Sequence, residues 1–392
     1  MIDKSISCVI PCYNCQNFIS KTVESIITQT IKPQEIILVN DASIDNTLDI
    51  LKRIESQYLN KVRVLDLEKN QGASYARNYG VENAKGKYIL FMDSDDIAEI
   101  TLIEEYLDRL GKLNGKIKDE YILSYSAYLQ IDEKGNQLSD TIRGIQVDPE
   151  EILGYELVRN YIISTSGVLV KKDYFIKTGG FNEKIRYSED WDLWLKLAQL
   201  GGFAYVDKPL IKIRRHGTNL SSQVDKMLEG EKLVLKQYSI NFVKKAIFNR
   251  KLDFDKNVVD YVSALFKFEY WEEGFIELNN LLNKGYNFYN LYFYLGLYYL
   301  KHKDIDKALE YFIDTITKKE NHGAALNNIG AIYLFKGEKK LAEKYLKLAI
   351  NYFPSYIDAN HNLNLLDKEI VSLEDFKFTW RELREVLTSY NE

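Results

Sequence analysis

The sequence is poor in cysteine, has no long hydrophobic run and carries no excess of positive charge. Its three cysteines, Cys8, Cys12 and Cys15, are an odd number within eight residues, which excludes a disulfide framework and favours free thiols over a metal cluster. The stretch closest to a membrane span, Leu291 to Leu300, has ten residues, well short of the roughly 20 that a spanning helix needs. With 52 Lys and Arg against 57 Asp and Glu, the net charge of −5 argues against a nucleic-acid partner.

What the sequence does contain is enough apolar material for two folded domains. It has 392 residues, of which 46% are hydrophobic and 28% charged, the balance of a globular protein. The first residues lead directly into the strand-like segment Ile6–Ile10, without the pattern of a signal peptide. We therefore expect a two-domain protein of the cytoplasm with no transmembrane segment.

The first 100 residues or so alternate short β-branched runs with amphipathic windows, which predicts parallel strands joined by crossover helices. The predicted strands are Ile6–Ile10, Glu35–Val39, Val62–Leu65 and Tyr88–Met92, and the predicted helices are Phe18–Thr28, Asn46–Gln57 and Ala73–Ala84. Ligands of such sheets bind outside the carboxyl ends of the strands. The polar segments 11–14, 40–43 and 93–96 should therefore line one edge.

The chain from Tyr121 to Ile213 is expected to complete the same domain. It has strand-like segments over Tyr121–Ile131 and Ser166–Val170, and a helical period over Asp190–Leu200. Beyond Ser221 only helical patterns follow. The predicted first domain therefore covers residues 1–220.

A 34-residue repeat marks the second half of the chain. The pairs separated by this distance include Gly296 and Gly330, Tyr299 and Tyr333, Ala308 and Ala342, and Tyr311 and Tyr345. The period resembles that of tetratricopeptide repeats, in which small residues recur where paired helices approach closely. We predict a helical linker over 221–254 and tetratricopeptide-like repeats over 255–392, with a capping helix from Leu373 to Tyr390. The alternative is an α-hairpin tail without a true repeat.

An acidic run, Asp93-Ser94-Asp95-Asp96, follows the hydrophobic strand Tyr88–Met92. Carboxylates fixed at the end of a strand suit Mg²⁺ or Mn²⁺, which bind one or two of them together with phosphate oxygens. Taken alone the run is ambiguous, because Asp95 or Asp96 could instead cap a helix that begins near Ile100.

Seven motifs in chain order resolve this ambiguity. They are Ser7–Asn14, Ile37–Thr47, Asn70–Asn78, Asp93–Asp96, Gly179–Glu183, Glu189–Trp194 and Ile213–Ser221. The series resembles the family 2 glycosyltransferases with the GT-A fold, and the resemblance covers roughly the first 220 residues. It implies an α/β domain, Rossmann-like, in which a mixed sheet carries helices on both faces. An all-α repeat domain would follow it.

The resemblance implies roles for the nucleotide-binding residues. Asp41 would accept a hydrogen bond from the nucleobase, Pro11 and Tyr13 would form the base pocket, Arg77 would fork onto phosphate oxygens and Asp93 would reach the ribose. The segment Asn40-Asp41-Ala42-Ser43 stands where the family often has Asp-Asp-Gly-Ser, so that alanine replaces a glycine.

The resemblance also implies a metal site and a catalytic base. Asp95 and His216 would contact a Mn²⁺ or Mg²⁺ ion, with Arg214 beside them at the diphosphate. Asp190, preceded by Glu189, would remove the proton of the acceptor hydroxyl. The alternative for Asp190 is a cap on a helix that begins at Trp191, and one residue can do both.

These roles predict a metal-dependent inverting hexosyl- or N-acetylhexosaminyltransferase that uses a nucleotide diphosphate sugar, UDP-linked, and a protein or glycan acceptor. The repeats would bind the acceptor or a protein partner. One alternative is a non-catalytic scaffold with a degenerate transferase domain, although the motif acids and His216 are all present. Another is a nucleotidyltransferase, which should have a glycine-rich loop after the first strand, and residues 11–15 contain no glycine.

Overall fold

A computed structural model describes residues 5–115, 120–215, 224–354, 356–368 and 372–383. The chain divides into two compact units, Met1–Lys251 and Leu252–Glu392. Each unit is built from its own secondary structure, and the first carries every candidate site residue that the structure describes.

The first unit is built on an eight-stranded mixed sheet. Its strands are β1 (Ile6–Cys12), β2 (Glu35–Asn40), β3 (Val62–Asp66), β4 (Tyr88–Phe91), β5 (Ile97–Ala98), β6 (Tyr121–Ile131), β7 (Val168–Lys171) and β8 (Gly202–Arg214). They lie in the order β3-β2-β1-β4-β7-β6-β8-β5. The strands β1 to β4 are parallel to their neighbours among themselves, whereas β7 is antiparallel to both β4 and β6. The four strands predicted in the first part of the chain are confirmed.

Helices cover both faces of this sheet. They are α1 (Ile19–Ile27), α2 (Thr47–Gln57), α3 (Ala73–Glu82), α4 (Leu102–Asn114), α5 (Ile152–Val158), α6 (Lys172–Lys177), α7 (Glu189–Ala198), α8 (Val224–Leu235) and α9 (Ile240–Phe248). Both α8 and α9 lie in the predicted linker, and they belong to the first unit, which extends to Lys251.

Side chains of the sheet alternate between two cores. Cys8 and Ile10 of β1 belong to a core that includes α1, α2 and α4, whereas Val9 belongs to a second core with α3, α6 and α7. Because both faces are buried, β2 is apolar at four successive positions, Ile36 to Val39. The predicted α/β domain with a mixed sheet and helices on both faces is confirmed.

Close packing of α3 on the sheet depends on one glycine. A Cβ atom at Gly80 would collide with Val9 of β1 and come within 3.2 Å of Val39 of β2. Glycine therefore lets α3 lie close against the two strands whose ends carry the motifs predicted to bind a nucleotide.

The second unit consists of helices that recur with a fixed spacing. They are α10 (Phe254–Lys267), α11 (Trp271–Asn283), α12 (Tyr289–Lys301), α13 (Ile305–Lys318), α14 (Gly323–Phe335), α15 (Lys339–Tyr352) and α16 (Ile357–Leu363). Starts of α12, α14 and α16 are 34 residues apart, and so are those of α11, α13 and α15. None of the helices described in either unit is long and apolar enough to cross a membrane.

Equivalent side chains make equivalent contacts in successive helix pairs. The rings of Tyr299 and Tyr311 stack at 5.4 Å between centroids, and those of Tyr333 and Tyr345, 34 residues later, stack at 5.6 Å. A Cβ atom at Gly330 would come within 2.6 Å of Leu346, so this glycine lets α14 and α15 approach closely. The 34-residue pattern of the sequence is therefore a repeat of structure.

The capping helix predicted over Leu373–Tyr390 is wrong for its described part. One turn of 3₁₀ helix covers Leu373–Asp375, and residues 376–383 have no regular structure. The main-chain N–H of Lys377 donates to Asn362 Oδ1 at 2.9 Å rather than to a carbonyl one helical turn earlier. A tertiary contact thus replaces the helical hydrogen bond that the local pattern favours.

Candidate functional site

Three polar loops meet at the carboxyl ends of β1, β2 and β4, as the sequence predicts. Because these strands are parallel and β1 lies between the other two, their ends share one edge of the sheet. The first two loops are tied together, because Asn14 N donates to Ser43 Oγ at 3.1 Å. The third is tied to α1, whose Thr22 Oγ1 donates to the carbonyl of Ser94 at 3.0 Å.

Asp41 fixes the entrance of α3. Its carboxylate is 3% exposed and accepts main-chain hydrogen bonds from Gln71 at 2.7 Å and Gly72 at 2.8 Å. A negative charge at the first turn of a helix is also favoured by the helix dipole. The structure therefore gives Asp41 a definite positioning part, and its contact with a nucleobase stays a prediction.

The other base-pocket residues lie beside Asp41. Pro11 is half-buried in β1 and Tyr13, just beyond the strand, is 47% exposed, so its ring is open to a ligand. Ala42 has a φ of +54°, in the left-handed region that favours glycine. The family's usual glycine is thus replaced at a position whose backbone still has the conformation that glycine allows most easily.

Arg77 of α3 connects two distant motifs. Its guanidinium is buried, and it donates to Asp93 Oδ1 at 2.7 Å and to Glu189 Oε1 at 3.3 Å. It also lies over the ring of Phe181, 5.3 Å from the centroid. In the structure the fork is directed at these two carboxylates. The contact of Arg77 with phosphate oxygens stays a prediction.

Asp190 lies beside this ion pair in the first turn of α7. Burial and the charge of Glu189 raise the pKa of Asp190 to about 7, although the Trp191 N–H and Arg77 act in the opposite direction. The helix begins at Glu189 with Ser188 at the N-cap position, so Asp190 is not the cap. A carboxylate whose pKa lies near neutral pH suits a general base.

Two tryptophans hold the start of α7 in place. The indole Nε1 of Trp191 donates to the carbonyl of Glu156 at 2.8 Å, and that of Trp194 donates to the carbonyl of Ile162 at 3.0 Å. Both rings are fully buried. The Trp-rich motif therefore anchors the helix that carries Asp190.

Glu156 of α5 is a member of this neighbourhood that sequence reasoning missed. Its side chain is fully buried, and burial raises its pKa well above the ordinary value, an effect to which the charge of Asp190 adds. Its Oε1 atom has no hydrogen-bond partner among the described residues. Nothing in the sequence distinguishes this glutamate from one on a solvated helix face.

Sequence reasoning also missed Asn78 and Ser166 as members of the site. The Asn78 amide donates to the carbonyl of Phe181 and accepts from its N–H, both at 2.9 Å, and so holds the glycine-rich motif against α3. Ser166 Oγ accepts from the N–H of Asp93 at 3.2 Å. The position of Asn78 next to Arg77 in a motif was the only available signal.

Arg214 lies at the acidic run, but its guanidinium faces the main chain. It is 2% exposed, and its side chain donates to the carbonyls of Asp95, Asp132 and Glu133, each at 2.9 Å. These contacts fix the loop that presents Asp95, because a buried cation needs acceptors close by. The contact of Arg214 with a nucleotide stays a prediction.

The acids of the run differ in their surroundings. Asp96 is buried and accepts from the N–H of Arg214 at 2.7 Å, and burial with the charges of Asp95 and Asp93 raises its pKa well above the ordinary value. Asp93 and Asp95 are half-buried. Neither Asp95 nor Asp96 caps α4, whose N-cap residue is Thr101.

The donor set at the end of β4 fits a hard cation that also binds phosphate. Asp93 and Asp95 offer carboxylate oxygens, the ligand type that Mg²⁺ and Mn²⁺ prefer, and such ions take their remaining ligands from phosphate and water. In the ranges that the structure describes, no group of three or more His, Cys, Asp and Glu side chains could hold a metal ion by itself. The predicted ligand His216 lies outside the described residues.

Known proteins resemble this chain over its first half. The sequence model described as Glycosyl transferase family 2 matches residues 7–117. An uncharacterized glycosyltransferase of Rickettsia conorii is 35% identical over 223 residues, which are 56% of this chain and 35% of that protein. Another, of Rickettsia prowazekii, is 32% identical over 226 residues, which are 57% of this chain and 68% of that protein. The alignment thus spans about a third of the first relative and two thirds of the second.

A solved structure has the same fold. The crystal structure of S. aureus TarS 1–349 in complex with UDP-GlcNAc covers 89% of this chain and 91% of its own, with a TM-score of 0.50 and 16% sequence identity. At that identity the likeness is one of fold. Because the family model lies over the polar strand ends and the R. prowazekii protein is matched over most of its length, this chain belongs to glycosyltransferase family 2.

Proposed function

We propose that this chain is an inverting, metal-dependent transferase that moves a hexosyl or N-acetylhexosaminyl group from a UDP-linked sugar to a hydroxyl group of a protein or glycan. The observation that carries the proposal is the grouping of Asp190, Glu189, Arg77 and Asp93 at the strand ends. A pKa of Asp190 raised to about 7 suits a general base, and the ion pairs of Arg77 with Glu189 and Asp93 link the start of α7 to the acidic run.

The chemistry needs one base. The acceptor oxygen attacks the anomeric carbon as the bond to the diphosphate oxygen breaks, and Asp190 takes the hydroxyl proton. No acid is required on the other side, because the nucleoside diphosphate leaves as a stabilised anion, unlike the leaving group of a glycoside hydrolase. Attack from the opposite face converts an α-linked donor into a β-linked product.

Asp41, Pro11 and Tyr13 would bind the nucleoside, with Asp93 at the ribose. The choice of UDP is supported by the structure of S. aureus TarS, which has the same fold and was solved in complex with UDP-GlcNAc. We assign Asp95, together with His216, to a Mn²⁺ or Mg²⁺ ion. When bound, such an ion offsets the negative charge of the departing diphosphate.

The second unit would serve recognition rather than chemistry. Its 34-residue spacing supports tetratricopeptide-type repeats, which present an extended surface to acceptors or protein partners. We place the start of this array at the boundary between Lys251 and Leu252, close to the predicted residue 255.

The three cysteines bear on where the protein works. Cys8, Cys12 and Cys15 are free and buried. Unpaired thiols persist in reducing compartments, which supports our proposal of a location in the cytoplasm.

The test is a panel of UDP-, GDP- and dTDP-sugars incubated with the purified chain, with and without Mn²⁺, while release of the nucleoside diphosphate is followed. We expect one UDP-sugar to be hydrolysed, slowly and only with the metal. Asp95→Ala should abolish this turnover and the metal-dependent part of UDP binding, whereas Asp173→Asn, a change of an exposed aspartate, should leave both intact. If no nucleotide sugar turns over although UDP binds, the scaffold alternative is correct.

A further inference from the structure

The second unit holds a piece of its own chain by the main chain. The amide of Asn328 accepts from the N–H of Thr379 at 2.8 Å and donates to its carbonyl at 3.0 Å. The amide of Asn362 does the same for Lys377, with both distances 2.9 Å. Because alternate residues present both main-chain groups to the same side, the segment is bound in the manner of a β-strand edge.

The two asparagines occupy equivalent positions of the repeat. Asn328 lies on α14 and Asn362 on α16, and they are 34 residues apart, as are the first residues of these helices. One repeat along the helical array corresponds to two residues along the bound segment, which runs in the opposite direction. A spacing matched in this way recognises an extended backbone rather than a particular set of side chains.

A third asparagine adds a site for a hydroxyl group. Asn327 Nδ2 donates to Thr379 Oγ1 at 3.0 Å and to the carbonyl of Lys377 at 2.9 Å. The same hydroxyl donates to Asp358 Oδ2 at 2.7 Å and is hydrogen-bonded to the Tyr356 hydroxyl. The position occupied by Thr379 therefore accepts serine or threonine and leaves a nonpolar residue without partners for these groups.

The bound segment supplies hydrogen-bond partners to three amides that are buried when it is in place. Asn327, Asn328 and Asn362 are each 0% exposed in the structure, which includes the segment. A buried amide without a hydrogen-bond partner is destabilising. Their hydrogen bonds to the segment are what makes three adjacent buried amides tolerable, so the surface is built to receive a main chain.

Aromatic side chains flank the hydroxyl site. Phe376 is buried and meets Phe335 with 6.2 Å between ring centroids, whereas Trp380 is 45% exposed and packs edge-on against Trp271 at 6.0 Å. The Phe376 end of the segment is therefore buried, whereas the Trp380 end is open to solvent, where another chain can approach.

We propose that α14 and α16 form a binding groove for an extended segment of another protein, with serine or threonine at the position of Thr379 and aromatic residues on either side. Residues 376–380 are the internal ligand that fills this groove until such a partner displaces it. The inference concerns binding only and does not depend on the sugar transfer proposed above.

The experiment frees the bound segment for exchange while the helices that form the groove stay intact. A protease site is placed at positions 369–371 of the full chain, the chain is cleaved there, and a fluorescent peptide of residues 372–392 is added. We expect its anisotropy to rise as it exchanges with the cleaved segment while the helical circular dichroism stays constant. A peptide with proline at positions 377 and 379 lacks both main-chain donors and should bind at least about tenfold more weakly. A peptide with Lys377→Glu should bind as the parent does.

The matched change in the groove is Asn328→Leu, which keeps the branched shape of the side chain and removes the two hydrogen bonds to Thr379. It should weaken binding of the peptide by about tenfold. A peptide with Thr379→Val should also bind about tenfold more weakly than the parent peptide, because the groups that bond the hydroxyl remain unpaired. Equal binding by Asn328→Leu and the parent would overturn the proposal.

Two further outcomes would also overturn it. If the labelled peptide exchanges only as the helical signal is lost, residues 376–380 are a permanent part of the core. If the uncleaved chain is a dimer that becomes monomeric when both prolines are introduced at 377 and 379, the occupant is a second copy of this chain and not another protein.

Discussion

At the scale of single residues, Arg77 holds the candidate site together. Its guanidinium joins Asp93, just beyond β4, to Glu189, which starts α7 and lies 112 residues after Arg77 in the sequence. Its charge also lowers the pKa of Asp190 against the effect of burial. One cation thus holds two motifs together and opposes the rise that burial causes in the pKa of Asp190.

Replacing Arg77 separates these two effects. Arg77→Met leaves two carboxylates unpaired and should cost about 2–3 kcal/mol in the free energy of unfolding, near the lower end for a buried pair because Asp93 and Glu189 are partly exposed. Without the cation the pKa of Asp190 rises, so the midpoint of the pH–rate profile should move above 7. Arg77→Lys keeps the charge and should keep the midpoint while losing the two-armed contact. A midpoint unchanged in Arg77→Met would contradict this account.

Ala42 offers a change that should stabilise the protein. Its positive φ is unfavourable for a residue with a Cβ atom, so Ala42→Gly should raise the free energy of unfolding by about 0.5–1 kcal/mol. Ala76→Gly, in the buried interior of α3, is the matched control and should lower it by about 1 kcal/mol or more. Denaturant titration of the three proteins measures both. Destabilisation by Ala42→Gly would show that the backbone is not strained there.

The sequence predicted which residues meet but not what each one contacts. Asp41 and Asp93 could be placed together because polar residues at the ends of neighbouring parallel strands share an edge. The hydrogen-bond partners of Arg77 and Arg214 could not be predicted, since a guanidinium binds phosphate, carboxylate or carbonyl oxygens with similar geometry. Glu156 gave no signal, because its burial arises only when α5 packs beside α7.

At the scale of elements, α7 is the part on which the catalytic proposal depends. The residue before it, the N-cap Ser188, has a left-handed φ of +64°, and two indole hydrogen bonds hold the helix itself. The chain therefore turns sharply into a helix whose first turn is fixed in place. Such an element positions Asp190 more closely than a loop would.

Removing one anchor tests this view. Trp191→Phe retains most of the ring volume but leaves the carbonyl of Glu156 without its donor, at a cost of about 1–3 kcal/mol in stability. Turnover should fall with little change in UDP affinity, because the nucleotide-binding residues lie on other elements. Trp380→Phe in the second unit is the control and should leave turnover intact. Loss of UDP affinity in Trp191→Phe would show that α7 has a broader part in the fold.

The position of a helix or strand could be predicted where the local sequence pattern and the tertiary packing favour the same structure. β2 was predicted within one residue because four buried β-branched or aliphatic residues in succession suit a strand covered on both faces. The C-terminal segment was misassigned because its main-chain groups bond to asparagines of α14 and α16, and such contacts between distant residues are not visible in a local period.

At the scale of the whole molecule, the chain consists of an α/β unit and an all-helical unit with separate cores. All candidate catalytic and nucleotide-binding residues belong to the first. We therefore assign the reaction with the donor sugar to residues before 252, and recognition of the acceptor or of a protein partner to the residues that follow.

Truncation after Lys251 examines this division. Hydrolysis of the donor sugar should persist, because water needs no docking surface, whereas transfer to the native acceptor should fall by roughly 100-fold once a second binding surface is lost. The truncated chain must first be shown to be monodisperse, since exposed apolar surface promotes aggregation. Full transfer by a monodisperse truncated chain would remove the repeats from acceptor recognition, and loss of hydrolysis would mean that they complete the active site.

The central claim, that Asp190 is the base of a UDP-sugar transferase, is tested most directly by measuring turnover and UDP affinity of Asp190→Asn beside the parent chain across pH 5 to 9. The account predicts that parent turnover rises with pH about a midpoint near 7, as Asp190 loses its proton. In Asp190→Asn, turnover should fall by about 10²–10⁴-fold and lose this pH dependence, while UDP affinity stays within about twofold of the parent. Retained turnover, or loss of UDP binding together with turnover, would contradict it.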